Sequence, residues 1–181
     1  MMAKEETLNS KRIFEGKIIN LRVDEVKLPN GKITTREVVE HPGGVSVVAV
    51  TDEGKLLLVK QYRKPAEEII LEIPAGKLEK GEDPETCAKR ELSEETGYEA
   101  GYLKHLLTFY TTPGFSNERM YLYFAKDLKK VKIHPDEDEF LEVVEYSPEE
   151  LWQMILQNMV KDAKTIIGVL YYLKLWKEGL L

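Results

Sequence analysis

One cysteine and three histidines in 181 residues leave little room for covalent or soft-metal staples. Cys87 has no intrachain partner for a disulfide, and His41, His105 and His134 do not combine with it at any zinc-binding spacing. No apolar run approaches the ~18 residues that a membrane-spanning helix needs, and the opening MMAKEETLNSKR is charged where a secretory signal would be apolar. The expectation is a reduced, cytoplasmic protein without a membrane span. Excess positive charge is also missing: 26 Lys and Arg stand against 32 Asp and Glu, a formal charge of −6, so the chain has no general affinity for nucleic acid. A polyanionic substrate would need local cations or a metal. Repeats and low-complexity tracts are absent too, and 43% hydrophobic with 32% charged residues is a globular balance.

What is present divides near residue 43. Residues 12–40 alternate in the two-residue period of strands, and Pro29-Asn30-Gly31-Lys32 supplies the turn of a hairpin. This predicts a small N-terminal antiparallel sheet over 1–43, followed by a second domain over 44–181. There VSVVAV (45–50) and LLLVKQY (56–62) are too continuously apolar for a sheet with one wet face, so both faces should be covered by helices. Further strands are predicted at 69–73, 103–110, 120–125 and 141–146. Helices are predicted at 84–96 (Asp83 N-cap, Pro84 first, Gly97 after the end), 148–157 (a Ser147/Glu150 capping box) and 163–178 (Asp162 N-cap, Gly179 stop). The fold class is α/β: a mixed-sheet α/β/α sandwich plus the N-terminal β domain.

The chemistry is concentrated in GKLEKGEDPETCAKRELSEETGY, residues 76–98. On a helix Glu91 and Glu95 lie ~40° apart, with Glu94 ~60° to the other side of Glu91. Like charges so placed, near the C-terminal end of the helix, oppose one another and the macrodipole. Arg90 can neutralise one; a divalent cation suits the others, since hard oxygen ligands on one face fit Mg²⁺ or Mn²⁺. An isolated Glu-Glu pair is ordinarily a solvated helix face. Here the spacing runs Gly76, five residues, Glu82, seven residues, Arg90-Glu91, Leu92, Ser93, Glu94-Glu95, Thr96, Gly97, Tyr98.

That pattern resembles the Nudix box, G-x5-E-x7-R-E-U-x-E-E-x-G-U, at every fixed position, with aromatic Tyr98 where an aliphatic residue is commoner. Chance odds of the fixed matches are on the order of one in 10⁸ per start. The resemblance implies metal-dependent hydrolysis of a nucleoside diphosphate linked to another moiety. It makes Glu91, Glu95 and the Ala75 carbonyl metal ligands, with Glu94 a ligand or close by, and Arg90 the residue that orients the glutamates. Gly76 should permit a close turn, Glu82 should hold the loop, and Cys87 should be inert. Thr111-Thr112-Pro113-Gly114, whose proline falls about fifteen residues after the box, joins Gln61-Tyr62-Arg63, LEIPAGKLE (71–79) and the N-terminal sheet in resembling the ADP-ribose pyrophosphatase group. That group implies cleavage of ADP-ribose to AMP and ribose 5-phosphate, with GDP-mannose or another nucleoside diphosphate sugar as the alternative substrate. A module that binds nucleotides without hydrolysis is the rival from another class, opposed by the retained glutamates. Arg63 and Glu118 become substrate contacts. Within the acidic run His134–Glu139, Glu137 becomes the base and Glu139 an acid near the metal. The N-terminal sheet should pair two copies into a homodimer and help build the partner's adenine pocket.

Overall fold

A computed structural model, which describes residues 4–132 and 140–180, resolves the chain into two compact units. One comprises Met1–Gly43 with Tyr110–Arg119, the other Gly44–Phe109 with Met120–Leu181. In the first unit β1 (Glu6–Glu15), β2 (Asn20–Lys27) and β3 (Ile33–Glu40) form an antiparallel sheet in that order. The turn between β2 and β3 is closed by Leu28 N–H donating to Lys32 O (2.8 Å) and Gly31 N–H to Leu28 O (2.9 Å). The sheet begins six residues before the predicted start at residue 12, because β1 is held by backbone pairing and polar partners and not by a buried face. Every β1 residue is exposed, and Ser10 donates to Asp24 at 2.6 Å while Arg12 pairs with Glu40 at 2.9 Å. Tyr110–Arg119 belongs with this unit: Val39 N–H donates to Phe115 O (2.8 Å), Asn117 N–H to Val39 O (3.3 Å), and His41 N–H to the Asn117 side chain (2.9 Å).

The second unit is built on β4 (Gly44–Val50), β5 (Leu56–Arg63), β6 (Glu68–Glu72), β7 (Ala75–Lys77), α1 (Pro84–Thr96), β8 (Tyr98–Tyr110), β9 (Arg119–Lys130), β10 (Leu141–Tyr146), α2 (Pro148–Leu156) and α3 (Ala163–Lys177). Its seven-stranded sheet runs β10-β5-β4-β9-β8, with β4 and β9 parallel. β4 and β5 pair only where Ala49 and Val50 meet Leu57 and Leu56. Beyond that point they diverge, and the edges they release are taken by new partners: Gly44–Ser46 of β4 by β7, and Val59–Arg63 of β5 by β6. The segment Glu68–Lys77 therefore fills a split in the middle of the sheet. Val47 N–H reaches Pro74 O at 2.8 Å to seal it.

The continuous apolar runs in β4 and β5 are explained by cores on both faces. Val48, Val50, Leu56, Leu58 and Ile73 pack under α2 and α3 with Leu122, Leu151 and Val169. Val45, Val47, Ala49 and Leu57 pack under α1 with Cys87, Ala88 and Leu92. The architecture is an α/β/α sandwich with a separate three-stranded antiparallel sheet at the N-terminus. Each leucine buried in these cores stabilises the fold by roughly 1.5–3 kcal/mol.

Helix ends follow the local chemistry of the sequence. Asp83 accepts from the backbone N–H groups of Glu85 and Thr86, and Gly97 stops α1 at φ 72° in the left-handed region. That turn sends the chain directly into β8, whose first residues, 98–102, alternation alone does not reveal. Ser147 and Glu150 form the capping box of α2, and Asp162 caps α3 by accepting from Thr165 N–H. The fully buried Thr165 hydroxyl also accepts from Ile73 N–H (2.9 Å), while donating to Asp162 (2.6 Å), so one side chain ties α3 to the wedge in the sheet. Thr165→Val keeps the shape and strands the Ile73 donor; urea unfolding should show a loss of about 1–3 kcal/mol. An unchanged midpoint would mean that the bond carries none of the docking of α3.

Candidate active site

The wedge and α1 together assemble the acidic site. α1 turns Cys87, Ala88 and Leu92 to the sheet, and its next two buried positions on the same side are Glu91 and Glu95. Burying a carboxylate is costly unless polar groups surround it. Glu95, only 3% exposed, accepts from Ala75 N–H at 2.9 Å. Glu91, 8% exposed, lies against Gly76 in β7 and pairs with Arg90 at 2.9 Å. A Cβ on residue 76 would fall 1.9 Å from the Glu91 carboxylate. The box glycine is thus required by close approach of Glu91, and not by a tight turn: Gly76 lies within a strand opposite Val45.

Arg90 organises the outer side of the same helix. Its Nε and Nη2 donate to the two oxygens of Glu82 (3.0 and 3.1 Å), and Nη1 donates to Glu94 (2.8 Å). With the contact to Glu91, one guanidinium spans three glutamates, so Glu94 is turned towards Arg90 while Glu91 and Glu95 face inward. The hydrogen bonds from Arg90, assisted by Glu79 N–H, hold the Glu82 carboxyl at about 2 against the opposing effect of burial. The bonds to Glu82, with the charge of Glu91 and the bond to Glu94, raise the Arg90 guanidinium further above its ordinary range. Burial and the nearby Glu82 push the Cys87 thiol up to about 12. It is buried and donates to Lys77 O at 3.4 Å, an inert position.

Arg63, the last residue of β5, is tied to β6. Its Nε and Nη2 donate to the two oxygens of Glu72 at 2.6 and 2.9 Å. Glu72 also meets Lys164, which pairs with Asp162 at 3.1 Å. The hydrogen bonds that Arg63 donates to Glu72 raise its guanidinium against the effect of burial, and the charges of Glu72 and Glu95 add to them. Burial alone would push Glu72 up, but the Arg63 hydrogen bonds and the Lys164 charge hold it below the ordinary carboxylate range. Glu72 and Lys164 were not reached as site residues from the sequence, and Asp162 was read only as the N-cap of α3. The available signal was a glutamate inside the apolar run ILEIPA, at a strand position that only a buried cation could tolerate. Glu118 sits in the N-terminal unit, where it accepts from the Thr111 hydroxyl (2.5 Å) and lies 3.3 Å from His41 Nδ1. Glu137 and Glu139 lie outside the described residues.

Among the described residues no three of His, Cys, Asp and Glu close around a common point. Two inward carboxylates on a helix fit a hard cation of the Mg²⁺ type, which binds through one or two carboxylates and keeps water and phosphate oxygens as its other ligands. They do not fit a fully enclosed protein cage.

Such a buried pair of glutamates, presented by a helix against a wedge in a mixed sheet, is a place where a hard cation and an oxyanion could meet. The NUDIX domain matches residues 40–167 and the nucleoside diphosphate sugar hydrolase N-terminal domain matches residues 5–39; the chain belongs to the Nudix hydrolase family. It is 51% identical over 170 residues to the ADP-ribose pyrophosphatase of Bacillus subtilis (strain 168), a match covering 93% of this chain and 92% of that protein. It is 49% identical, over the same shares of both chains, to the methanol dehydrogenase activator of Bacillus methanolicus. The crystal structure of an ADP compounds hydrolase superposes with a TM-score of 0.88 at 22% identity, covering 100% of this chain and 99% of that one, a likeness of fold.

Two outcomes follow from this geometry. Gly76→Ala should expel Glu91 from its seat and abolish measurable turnover while the circular dichroism spectrum stays that of the parent; full turnover would show that Glu91 does not need this position. Because the Glu82 carboxyl is depressed from 4.5 to about 2, its stabilising effect is fully present above pH 4.5 and is lost as pH falls towards 2. Glu82→Gln should therefore melt below the parent at pH 7, with the gap narrowing between pH 4.5 and pH 2. A gap independent of pH would remove the Arg90 pair as its cause.

Proposed function

We propose that the protein hydrolyses ADP-ribose to AMP and ribose 5-phosphate with the help of a divalent cation, Mg²⁺ or Mn²⁺. The observation that carries this reading is the pair of buried carboxylates, Glu91 and Glu95, set against β7. The 51% identity to an ADP-ribose pyrophosphatase over most of both chains supports the choice of substrate. Glu91, Glu95 and the Ala75 carbonyl would hold the cation, with Glu94 beside them. When bound, such a cation supplies neutralisation of the diphosphate charge and a lowered pKa for the attacking water.

The chain's own groups do the rest. Arg90 keeps Glu91 and Glu94 in fixed orientation by charge-assisted hydrogen bonds, so no side-chain ordering is left for the moment of reaction. Arg63 offers a guanidinium to the diphosphate. Glu137 removes the proton from water as it attacks phosphorus, and Glu139 acts near the cation. Glu118 contacts the substrate. Two copies assemble through the N-terminal sheet, which leaves Leu8, Ile13, Phe14, Ile18 and Ile33 exposed on a unit too small to bury a core of its own.

ADP-ribose, GDP-mannose, ADP-glucose and dinucleoside polyphosphates should be assayed side by side with Mg²⁺ and with EDTA. ADP-ribose should give the highest kcat/KM, and EDTA should abolish it. Preference for GDP-mannose would replace the substrate, and activity in excess EDTA would remove the cation. Glu95→Gln should cost orders of magnitude in turnover. Glu137→Gln should cost about 10²–10⁴-fold in kcat with little change in KM, and near-normal turnover there, with a collapse in Glu94→Gln, would move the base onto α1. Light scattering at micromolar concentration should give a dimer; a fully active monomer would overturn the assembly.

A further inference from the structure

A guanidinium carries five N–H donors, and Arg63 uses two of them, from Nε and one side of Nη2, on Glu72. The end-on edge formed by Nη1 and the other side of Nη2 makes no hydrogen bond among the described residues. The two partners differ sharply in surroundings: the Glu72 side chain is 2% exposed, whereas that of Arg63 is 41% exposed. One edge is anchored in the protein and the other, a second parallel pair of donors, is left unbonded on a guanidinium within electrostatic reach of Glu95. Glu72 alone would anchor Arg63 at the expense of its charge, since the pair is neutral when felt by a distant anion. Lys164, mostly buried at the start of α3, meets the same carboxylate, so Glu72 is shared between two cations and takes less from Arg63. Asp162, the N-cap of α3, fixes Lys164 in turn at 3.1 Å. Buried ion pairs of this kind add little net stability compared with apolar packing, so stability is a weak reason for this one.

We infer that Glu72 and Lys164 are positioning residues for the hydrolytic reaction, acting through Arg63. Together they hold its guanidinium in one orientation, with the fork formed by its second pair of donors available to two oxygens of the substrate's diphosphate. The inference rests on the proposed hydrolysis of a nucleoside diphosphate sugar and on Arg63 as its contact. A phosphate is recognised by such a fork in the same way as a carboxylate, and a fork that is already fixed loses less freedom on binding than a mobile one.

The test is steady-state kinetics of the full chain on ADP-ribose at saturating Mg²⁺, with unfolding midpoints measured alongside. Glu72→Gln frees Arg63 and should raise KM about tenfold or more while leaving kcat within about threefold. Lys164→Met, which keeps the stem and removes the charge, should raise KM in the same direction, and Lys164→Arg should restore it. In an Arg63→Ala background, Glu72→Gln should add less than about twofold, because the interaction through which it acts is gone. A purely structural role would instead lower the unfolding midpoint and leave KM where it was, which overturns the inference. If Glu72→Gln does not fold, Lys164→Met and its arginine rescue decide by the same readout. The underlying readings fail differently. A wild-type chain inactive on every nucleoside diphosphate sugar removes the reaction and the inference together, whereas active enzyme whose KM is indifferent to Arg63→Ala removes the contact and, with it, the role of Glu72.

Discussion

β4 cannot keep two full-length neighbours. On one edge β9 runs beside it from Gly44 to Ala49, but on the other β5 departs after two paired residues. Backbone donors and acceptors released inside a sheet must find other partners, because stranding them in a buried place costs about as much as a lost hydrogen bond. β6 and β7 meet that demand, and everything else in the site depends on how they do so. The chain is forced to cross from β5 to β4 through Ile73 and Pro74, which sets Glu72 to one side of the crossing and Ala75 and Gly76 to the other. α1 then lies over the mended split with two carboxylates facing a strand that offers a backbone donor at Ala75 and no side chain at Gly76.

This arrangement places charge where a folded protein ordinarily avoids it. Glu72, Glu91 and Glu95 are all buried, and each has a compensating donor supplied from a different element: β5 and α3 for Glu72, α1 itself for Glu91, β7 for Glu95. The two arginines divide the labour. Arg90 faces the outer glutamates and works within the box, while Arg63 ties the inner end of β5 to β6.

Much of this was legible in the chain before any coordinates. The two-sided burial of β4 and β5 followed from runs without polar alternation, and the three helices from Asp83, Ser147 and Asp162 followed by proline or an apolar stripe. The spacing from Gly76 to Gly97 fixed which acids share a helix. What stayed hidden has physical reasons. β1 has no buried face, so hydrophobic periodicity had nothing to report. β7 is three residues long, set by what β4 leaves unpaired and not by its own composition. The Glu72–Lys164 contact joins residues 92 apart, a meeting decided by topology. Gly76 was recognisable as required, but for a turn; only the position of the Glu91 carboxylate gave the reason.

The single thiol of the chain gains a use from its burial. Cys87 lies on the sheet side of α1, one turn before Glu91, with its proton held far above neutral pH. An alkylating reagent reaches it only in molecules whose α1 has come away from the strands beneath. The pace of its modification in the native protein is then a clock for how often the helix carrying Glu91 and Glu95 opens, and anything that settles onto those carboxylates slows that clock without touching the sulfur.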